Sequence, residues 1–116
     1  MMTLNQVESV LPALKNGPGG YVSVFAGRIA DAGVDPLPVM SATVTMLKDF
    51  PNIELIWASP RELFNVVQAD SIGCHIITAT NNILNKLPLL GKSLDDFSLE
   101  TVKMFYDDAL EAGYTL

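Results

Sequence analysis

The chain has 116 residues and a formal net charge of −6, with 49% hydrophobic and 17% charged residues. This length predicts one domain, the apolar composition excludes intrinsic disorder, and the acidic balance argues against binding to nucleic acid or to anionic membranes. The single cysteine, Cys74, excludes an internal disulfide and a multi-cysteine metal site. We expect a cytoplasmic protein, because no apolar run reaches the length of a membrane span and the N-terminus lacks a secretory signal.

Glycine and proline divide the chain into alternating helical and extended segments. In chain order, we expect a helix over residues 3–15, a strand over 21–26, a loop over 27–36, a helix over 41–50, a strand over 53–58, a helix over 60–72, a strand over 75–79, a short helix over 82–87 and a last helix over 98–112. Thr3 and Gln6 have the spacing of a capping box, and Ser41, Ser59 and Ser98 stand where N-caps are expected.

Strands that alternate with helices predict an α/β fold with a parallel sheet, because parallel neighbours need a crossover connection. The apolar runs at 55–58 and 76–77 are expected for strands that are covered on both faces. Three parallel strands leave both edges of the sheet unpaired. Either partner chains cover these edges, or residues 1–116 form a single domain that is part of a larger sheet or barrel.

Both arginines of the chain follow the predicted end of a strand, Arg28 the first strand and Arg61 the second. Sites in parallel α/β folds lie at the carboxyl ends of the strands. Ser59 precedes Arg61 at a predicted helix N-terminus, which would favour an anion. Two guanidinium groups, a hydroxyl and free backbone N–H groups suit a phosphate monoester. Alternatively, Arg28 pairs with Asp31 or Asp35, and Ser59 only caps its helix.

The remaining polar residues favour structural roles. His75 starts a predicted strand beside Cys74, and adjacent residues of a strand point to opposite faces, which excludes a Cys–His dyad. We expect His75 to pack at the amino-terminal rim of the sheet and Cys74 to be a buried small hydrophobic residue. All five lysines lie in predicted helices or loops, where the amine lacks the desolvated surroundings of a nucleophile. We predict no catalytic residue, no metal and no cofactor.

Four ordered segments carry a family resemblance. They are residues 23–31 (SVFAGRIAD), 57–62 (WASPRE), 73–78 (GCHIIT) and 97–105 (FSLETVKMF). Together they resemble the C-terminal part of the transaldolase / fructose-6-phosphate aldolase family, over nearly the whole chain. The resemblance implies part of an eight-stranded (β/α) TIM barrel, with the last helix before strand six followed by units six to eight. It also implies that four residues surround the phosphate of a sugar phosphate: Ser23, Arg28, Ser59 and Arg61.

The reacting side of that family has no counterpart in the chain. In the family, the lysine that forms the Schiff base lies on strand four and an acidic partner lies on strand one. The resemblance therefore implies a truncated transaldolase-like protein of carbohydrate metabolism, of the pentose phosphate type, which binds phosphate but is inactive alone. Two alternatives stay open: an active transaldolase or aldolase assembled with a separate N-terminal chain, and a non-catalytic, oligomer-forming phosphate-binding protein.

The apolar excess and the two open sheet edges also predict an oligomer. The last predicted helix is the expected contact, because its apolar residues recur at helical spacing. They are Leu99, Val102, Phe105, Tyr106 and Ala109. The resemblance implies the same contact, since such a helix packs between subunits in the family. The expected small-molecule partner is a sugar phosphate or an inorganic anion.

Overall fold

The computed structural model describes residues 1–113, which contain three parallel strands connected by helices. In chain order, the elements are α1 (Leu4–Leu14), β1 (Gly20–Val24), α2 (Ala26–Asp31), α3 (Leu37–Leu47), β2 (Ile53–Trp57), α4 (Phe64–Ile72), β3 (Ile76–Ile77), α5 (Asn81–Leu84), a 3₁₀ turn (Leu87–Leu89) and α6 (Leu94–Glu111). The chain forms two compact units, Met1–Lys86 and a second that begins at Leu87.

The sheet of the first unit has the strand order β1-β2-β3, and both pairs of neighbours are parallel. β1 lies in register with β2, so that Val24 is opposite Trp57 at the carboxyl ends. β3 pairs with β2 only through Ile76 and Ile77. The predicted parallel α/β arrangement is therefore confirmed, with helices forming the crossovers that parallel strands require.

One face of this sheet is buried and the other is not. The buried side chains of the two longer strands are Val22, Val24, Ile53, Leu55 and Trp57. Helices α1 to α4 complete this core, with Val7, Met40 and Ala69 among the buried residues. On the opposite face, Tyr21 and Glu54 are exposed. Coverage on both faces is therefore wrong for β1 and the start of β2, whereas the residues of the runs 55–58 and 76–77 are all buried or half-buried.

Helix α1 follows its sequence signals closely. The hydroxyl of Thr3 accepts the N–H of Gln6 at 3.2 Å, and the Gln6 side chain accepts the N–H of Thr3 at 3.1 Å, which confirms the capping box. Val7 and Leu11 lie on the buried side. At the far end of α4, Gly73 has φ +78°, the left-handed conformation expected of a helix C-cap.

Three predicted helix starts are wrong. Ser41 lies inside α3, which begins at Leu37, where a carboxylate oxygen of Asp35 accepts the Leu37 N–H at 3.0 Å. Ser59 caps no helix, since α4 begins at Phe64. The last helix has Ser93 rather than Ser98 at its N-cap. The N-cap residues of α3 and α4 are Pro36 and Leu63, neither of which caps through its side chain, whereas Ser93 caps α6.

Residues 27–31, which were expected to lie in a loop, and Ala26, which was expected to end the first strand, form the short helix α2. Its first turn closes when the carbonyl of Phe25 accepts the N–H groups of Arg28 and Ile29 at 3.0 and 3.1 Å. Ala26 and Ile29 are buried in the core. Tertiary burial therefore outweighs the low helix propensity of the glycine at position 27.

Strand β3 begins at Ile76 rather than at His75. Before Ile76, side chains rather than backbone groups form the hydrogen bonds to β2. The Nδ1 atom of His75 accepts the N–H of Leu55 at 2.9 Å, and the thiol of Cys74 donates to the Leu55 carbonyl at 3.5 Å. The two side chains were expected to point to opposite faces. Instead both side chains form hydrogen bonds to the backbone of Leu55, His75 to its N–H and Cys74 to its carbonyl.

The second unit is dominated by α6, and none of the side chains described in this helix is buried. Its most exposed apolar residues are Leu94, Leu99, Val102 and Phe105, each more than 60% exposed. Such a helix has an apolar face without a partner in the described chain. Over residues 1–113, no helix combines the length and the apolarity needed to cross a membrane.

Candidate functional site

The predicted site residues gather at the carboxyl edge of β1 and β2. Ser23 lies in β1, Arg28 in the helix that follows it, and Ser59 and Arg61 in the turn that follows β2. Because the two strands are parallel and in register, both connections leave the sheet at the same edge. This is the edge at which α/β proteins place their sites.

The turn after β2 lies directly against the first turn of α2. The N–H of Gly27 donates to the carbonyl of Ala58 at 3.3 Å, and a Cβ atom at position 27 would lie 1.5 Å from the carbonyl oxygen of Ser59. Position 27 therefore admits only glycine. This contact brings the connections that carry Arg28 and Arg61 together.

Ser59 adopts a left-handed backbone conformation, with φ +58°, and no other non-glycine residue in the described part of the chain has a positive φ. For a residue with a side chain, this conformation costs about 1–2 kcal/mol. Strained residues of this kind concentrate at functional sites. The carbonyl of this strained residue is the group that lies against Gly27.

The backbone N–H groups that were expected to bind an anion are already occupied. Pro60 has none, and those of Arg61 and Glu62 donate to the side-chain oxygen of Asn65 at 2.7 and 3.0 Å. The predicted helix N-terminus at Ser59 does not exist, since α4 begins further along the chain. An anion at this edge would therefore depend on side chains. Asn65, whose side chain orders this turn, was not identified from the sequence, because no motif links a residue so far beyond the strand end to the turn.

Arg61 forms an ion pair with Asp31, whereas the sequence had suggested Asp31 as a partner of Arg28. The Nη2 and Nε atoms of Arg61 donate to the two carboxylate oxygens at 2.7 and 3.3 Å. The side chains are 50% and 55% exposed, so the pair lies at the surface. The hydrogen bonds from Arg61 lower the pKa of Asp31 below its ordinary value of 3.8, and the charge of Arg28 acts in the same direction.

Arg28 lies over the ring of Phe25, with 5.5 Å between the guanidinium carbon and the ring centre. Its side chain is exposed. Ser23 is half-buried on the uncovered face of the sheet. Over residues 1–113, no hydrogen bond joins the hydroxyl of Ser23 or of Ser59 to either arginine. The structure thus brings the two arginines to one edge, where the carboxylate of Asp31 pairs with Arg61.

The lysines and the cysteine are the other candidate reactive groups. The five lysines are all outside the three strands; they are Lys15, Lys48, Lys86, Lys92 and Lys103. Burial raises the pKa of the Cys74 thiol above its ordinary value of 9.0, which disfavours the nucleophilic thiolate. A cavity of about 550 Å³ lies between α3 and α4 and is lined by residues that include Val44, Lys48 and His75.

The fold and the charged edge define an α/β protein with a parallel sheet and two arginines at the carboxyl edge of that sheet. The model of the transaldolase/fructose-6-phosphate aldolase family matches residues 1–115. The chain belongs to this family, which confirms the resemblance seen in the sequence.

Several curated proteins are similar to the chain. A probable transaldolase of Nitrosopumilus maritimus (strain SCM1) is 34% identical over 92 residues, which are 75% of this chain and 41% of that protein. One from Thermoanaerobacter sp. (strain X514) is 33% identical over 94 residues, 80% of this chain and 41% of the relative. One from Desulforudis audaxviator (strain MP104C) is 34% identical over 103 residues, which are 87% of this chain and 44% of that protein. The chain therefore spans about two-fifths of the length of these relatives.

Proposed function

We propose that the chain is the C-terminal portion of a transaldolase-like barrel, strands six to eight with their helices, and that it binds the phosphate of a sugar phosphate. The observation that carries this proposal is the position of Arg28 and Arg61 after neighbouring parallel strands. Guanidinium groups suit phosphate because their N–H groups pair with two oxygens at once. Membership of the family supports sugar phosphates as the class of ligand.

The one-sided burial of the sheet supports a barrel. In a closed (β/α) barrel, one face of each strand packs against the outer helices and the other face points into the barrel. Here the helix-facing residues are buried, and Tyr21, Ser23 and Glu54 lie on the uncovered face. Along β1 and β2, buried residues alternate with residues of the uncovered face, as they do in a barrel strand with one face towards the helices and one towards the interior.

The outer edge of β1 supports a larger sheet. The amine of Met1 donates to the carbonyl of Ser23, and the N–H of Phe25 donates to the carbonyl of Met1, each at 2.8 Å. This is the hydrogen-bond pattern of neighbouring parallel strands. The edge of β1 therefore has the geometry to accept a further parallel strand, as every strand of a barrel does.

This edge also favours a second candidate function, an active transaldolase or aldolase that assembles with a separate N-terminal chain. In this candidate, the partner would supply the Schiff-base lysine that the family carries on strand four. We expect the chain alone to give no covalent adduct when it is mixed with fructose 6-phosphate and reduced with borohydride. An adduct on any of its lysines, detected by intact mass, would contradict the proposed division between a binding part and a reacting part.

Phosphate binding is tested by titrating the full chain with inorganic phosphate and following backbone NMR shifts. Removal of a charge-assisted contact should weaken binding about 10- to 150-fold in Arg28→Ala or Arg61→Ala. Lys48→Ala is the matched control, because it removes one positive charge from the connection between α3 and β2. Equal affinities in the wild type and both arginine variants would exclude the proposed site.

A further inference from the structure

Asp31 is hydrogen-bonded to one edge of the guanidinium group of Arg61, on which the proposed phosphate site depends. Helix α2 carries Asp31 three residues after Arg28, which places the two side chains on neighbouring positions of the helix surface. Arg61 reaches the same carboxylate from the turn after β2, through Nε and Nη2. The carboxylate thus lies next to both positive charges of the site.

We propose that Asp31 is a built-in counter-anion of the phosphate site, which holds Arg61 while the site is empty and lowers the affinity of the site for phosphate. This proposal rests on the proposed function, and it adds a residue that sets the affinity of the site for phosphate. In the sequence, Asp31 stood out only as a possible partner of Arg28. The ion pair with Arg61 gives it this different role.

Two opposing effects decide the sign of this influence. By holding the Nε and Nη2 edge, Asp31 orients the guanidinium and leaves Nη1 for a ligand. Orientation is a weak effect here, because both side chains are about half exposed and exposed ion pairs contribute little. Charge is the larger effect. Removing the carboxylate makes the surroundings of Arg28 and Arg61 more positive by one charge, which strengthens the attraction for an anion.

The carboxylate retains its charge under ordinary conditions. The hydrogen bonds from Arg61 lower the pKa of Asp31 from a value that is already 3.8, so the side chain is ionised at neutral pH. An incoming phosphate therefore always meets this negative charge. It must displace the carboxylate from Arg61 or bind beside it.

The test compares the affinity of the full chain for inorganic phosphate in the wild type and in Asp31→Asn, at one pH and one ionic strength. We expect Asp31→Asn to bind phosphate about 3- to 10-fold more tightly. Asp49→Asn removes the same charge from an exposed position before β2 and should stay within about twofold of the wild type. Adding Arg61→Gln to Asp31→Asn should abolish the gain, because the carboxylate acts on that guanidinium.

Salt separates this charge effect from a structural one. The ratio of the two affinities should shrink towards one as sodium chloride rises from about 0.05 to 0.5 M, since exposed charges are screened. A ratio that is independent of salt would contradict the proposal. Circular dichroism checks the fold of each variant, and Asp31→Ser replaces Asp31→Asn if the latter loses its helical signal.

The remaining outcomes separate the two proposals. Weaker or unchanged binding by Asp31→Asn, with measurable binding by the wild type, would overturn the role of Asp31 and leave the phosphate site standing. Absence of phosphate binding in both proteins would overturn the phosphate site and the role of Asp31 together.

Discussion

At the scale of single residues, the structure depends on side chains that take over backbone hydrogen bonds. His75 accepts the N–H of Leu55, and the Asn65 side chain accepts those of Arg61 and Glu62. A buried N–H group costs free energy when it lacks a partner. His75 therefore stabilises the pairing beside β2, because Leu55 is buried. Asn65 orders a turn whose residues Arg61 and Glu62 are exposed, so this cost does not apply there.

His75→Phe should destabilise the protein, because phenylalanine fills the space of the imidazole without an acceptor for the Leu55 N–H. Leu55 is completely buried, so we expect a loss of about 1–3 kcal/mol in the free energy of unfolding by urea. His75→Asn is the matched control, since its side-chain oxygen can stand where Nδ1 stands. Equal stabilities of His75→Phe and the wild type would show that the hydrogen bond contributes nothing.

Asp31 should titrate below 3.8, because Arg61 stabilises its ionised form. A folded-state pKa below the unfolded one means that the contribution to stability is present above the unfolded value and is lost as the pH falls through the folded value. Between pH 6 and 8 this group should leave stability unchanged. NMR of the side-chain carboxyl carbon measures the midpoint, which should rise towards 3.8 in Arg61→Gln. A wild-type midpoint at or above 3.8 would rule out the ion pair in solution.

At the scale of elements, the candidate site is built by the contact between α2 and the turn after β2. Gly27→Ala places a Cβ atom 1.5 Å from the Ser59 carbonyl oxygen, which should cost about 3 kcal/mol or more. Gly33→Ala is the control, because that glycine has φ +79° but open space around it, so only backbone strain of about 1 kcal/mol is expected. Urea unfolding of both variants compares the two costs. A milder effect at Gly27 than at Gly33 would mean that the contact is loose.

Helix α6 carries the prediction of an oligomer, which rests on its apolar face and on the family resemblance. Phe105 is 63% exposed on that face, and Met104 is 52% exposed on a different side of the helix. We expect Phe105→Asp to weaken self-association about tenfold or more, as loss of a central aromatic contact does, and Met104→Asp to weaken it less. Analytical ultracentrifugation measures both. A wild-type chain that sediments as a 12.5 kDa monomer at micromolar concentration would contradict this prediction.

Sequence patterns predicted the elements better than their ends. The helix over 3–15 and the three strands followed from capping residues, β-branched runs and glycines, because these signals are local. The starts of α3, α4 and α6 did not, since Ser41, Ser59 and Ser98 are all chemically able to cap but none does. Helices α3 and α4 begin after Pro36 and Leu63, which do not cap through their side chains, so no capping signal marks their first residues.

At the scale of the whole molecule, the sequence predicted the edge at which the arginines meet but not the contacts they make there. Parallel strand order alone places residues after β1 and β2 at the same edge. The pairing of Arg61 with Asp31, across thirty residues of sequence, depends on the close approach of α2 to the turn after β2.

The one-sided burial of the sheet was hidden in the sequence by the apolar runs at 55–58 and 76–77, which suggested burial on both faces. Only Glu54 interrupts the apolar residues of Ile53–Trp57. In the structure Glu54 is exposed, and Ile56, on the same face, is half-buried. This one-sided burial agrees better with a sector of a barrel than with a complete three-stranded domain.

The most direct test of a phosphate-binding barrel sector is a map of backbone NMR shifts in the full chain, with fructose 6-phosphate and with fructose at equal concentration. We predict shifts at residues 23–31 and 57–62 with the phosphorylated sugar alone, and their disappearance in Arg61→Ala. Equal shifts with both sugars, shifts centred on the cavity between α3 and α4, or no shifts at all would contradict the account.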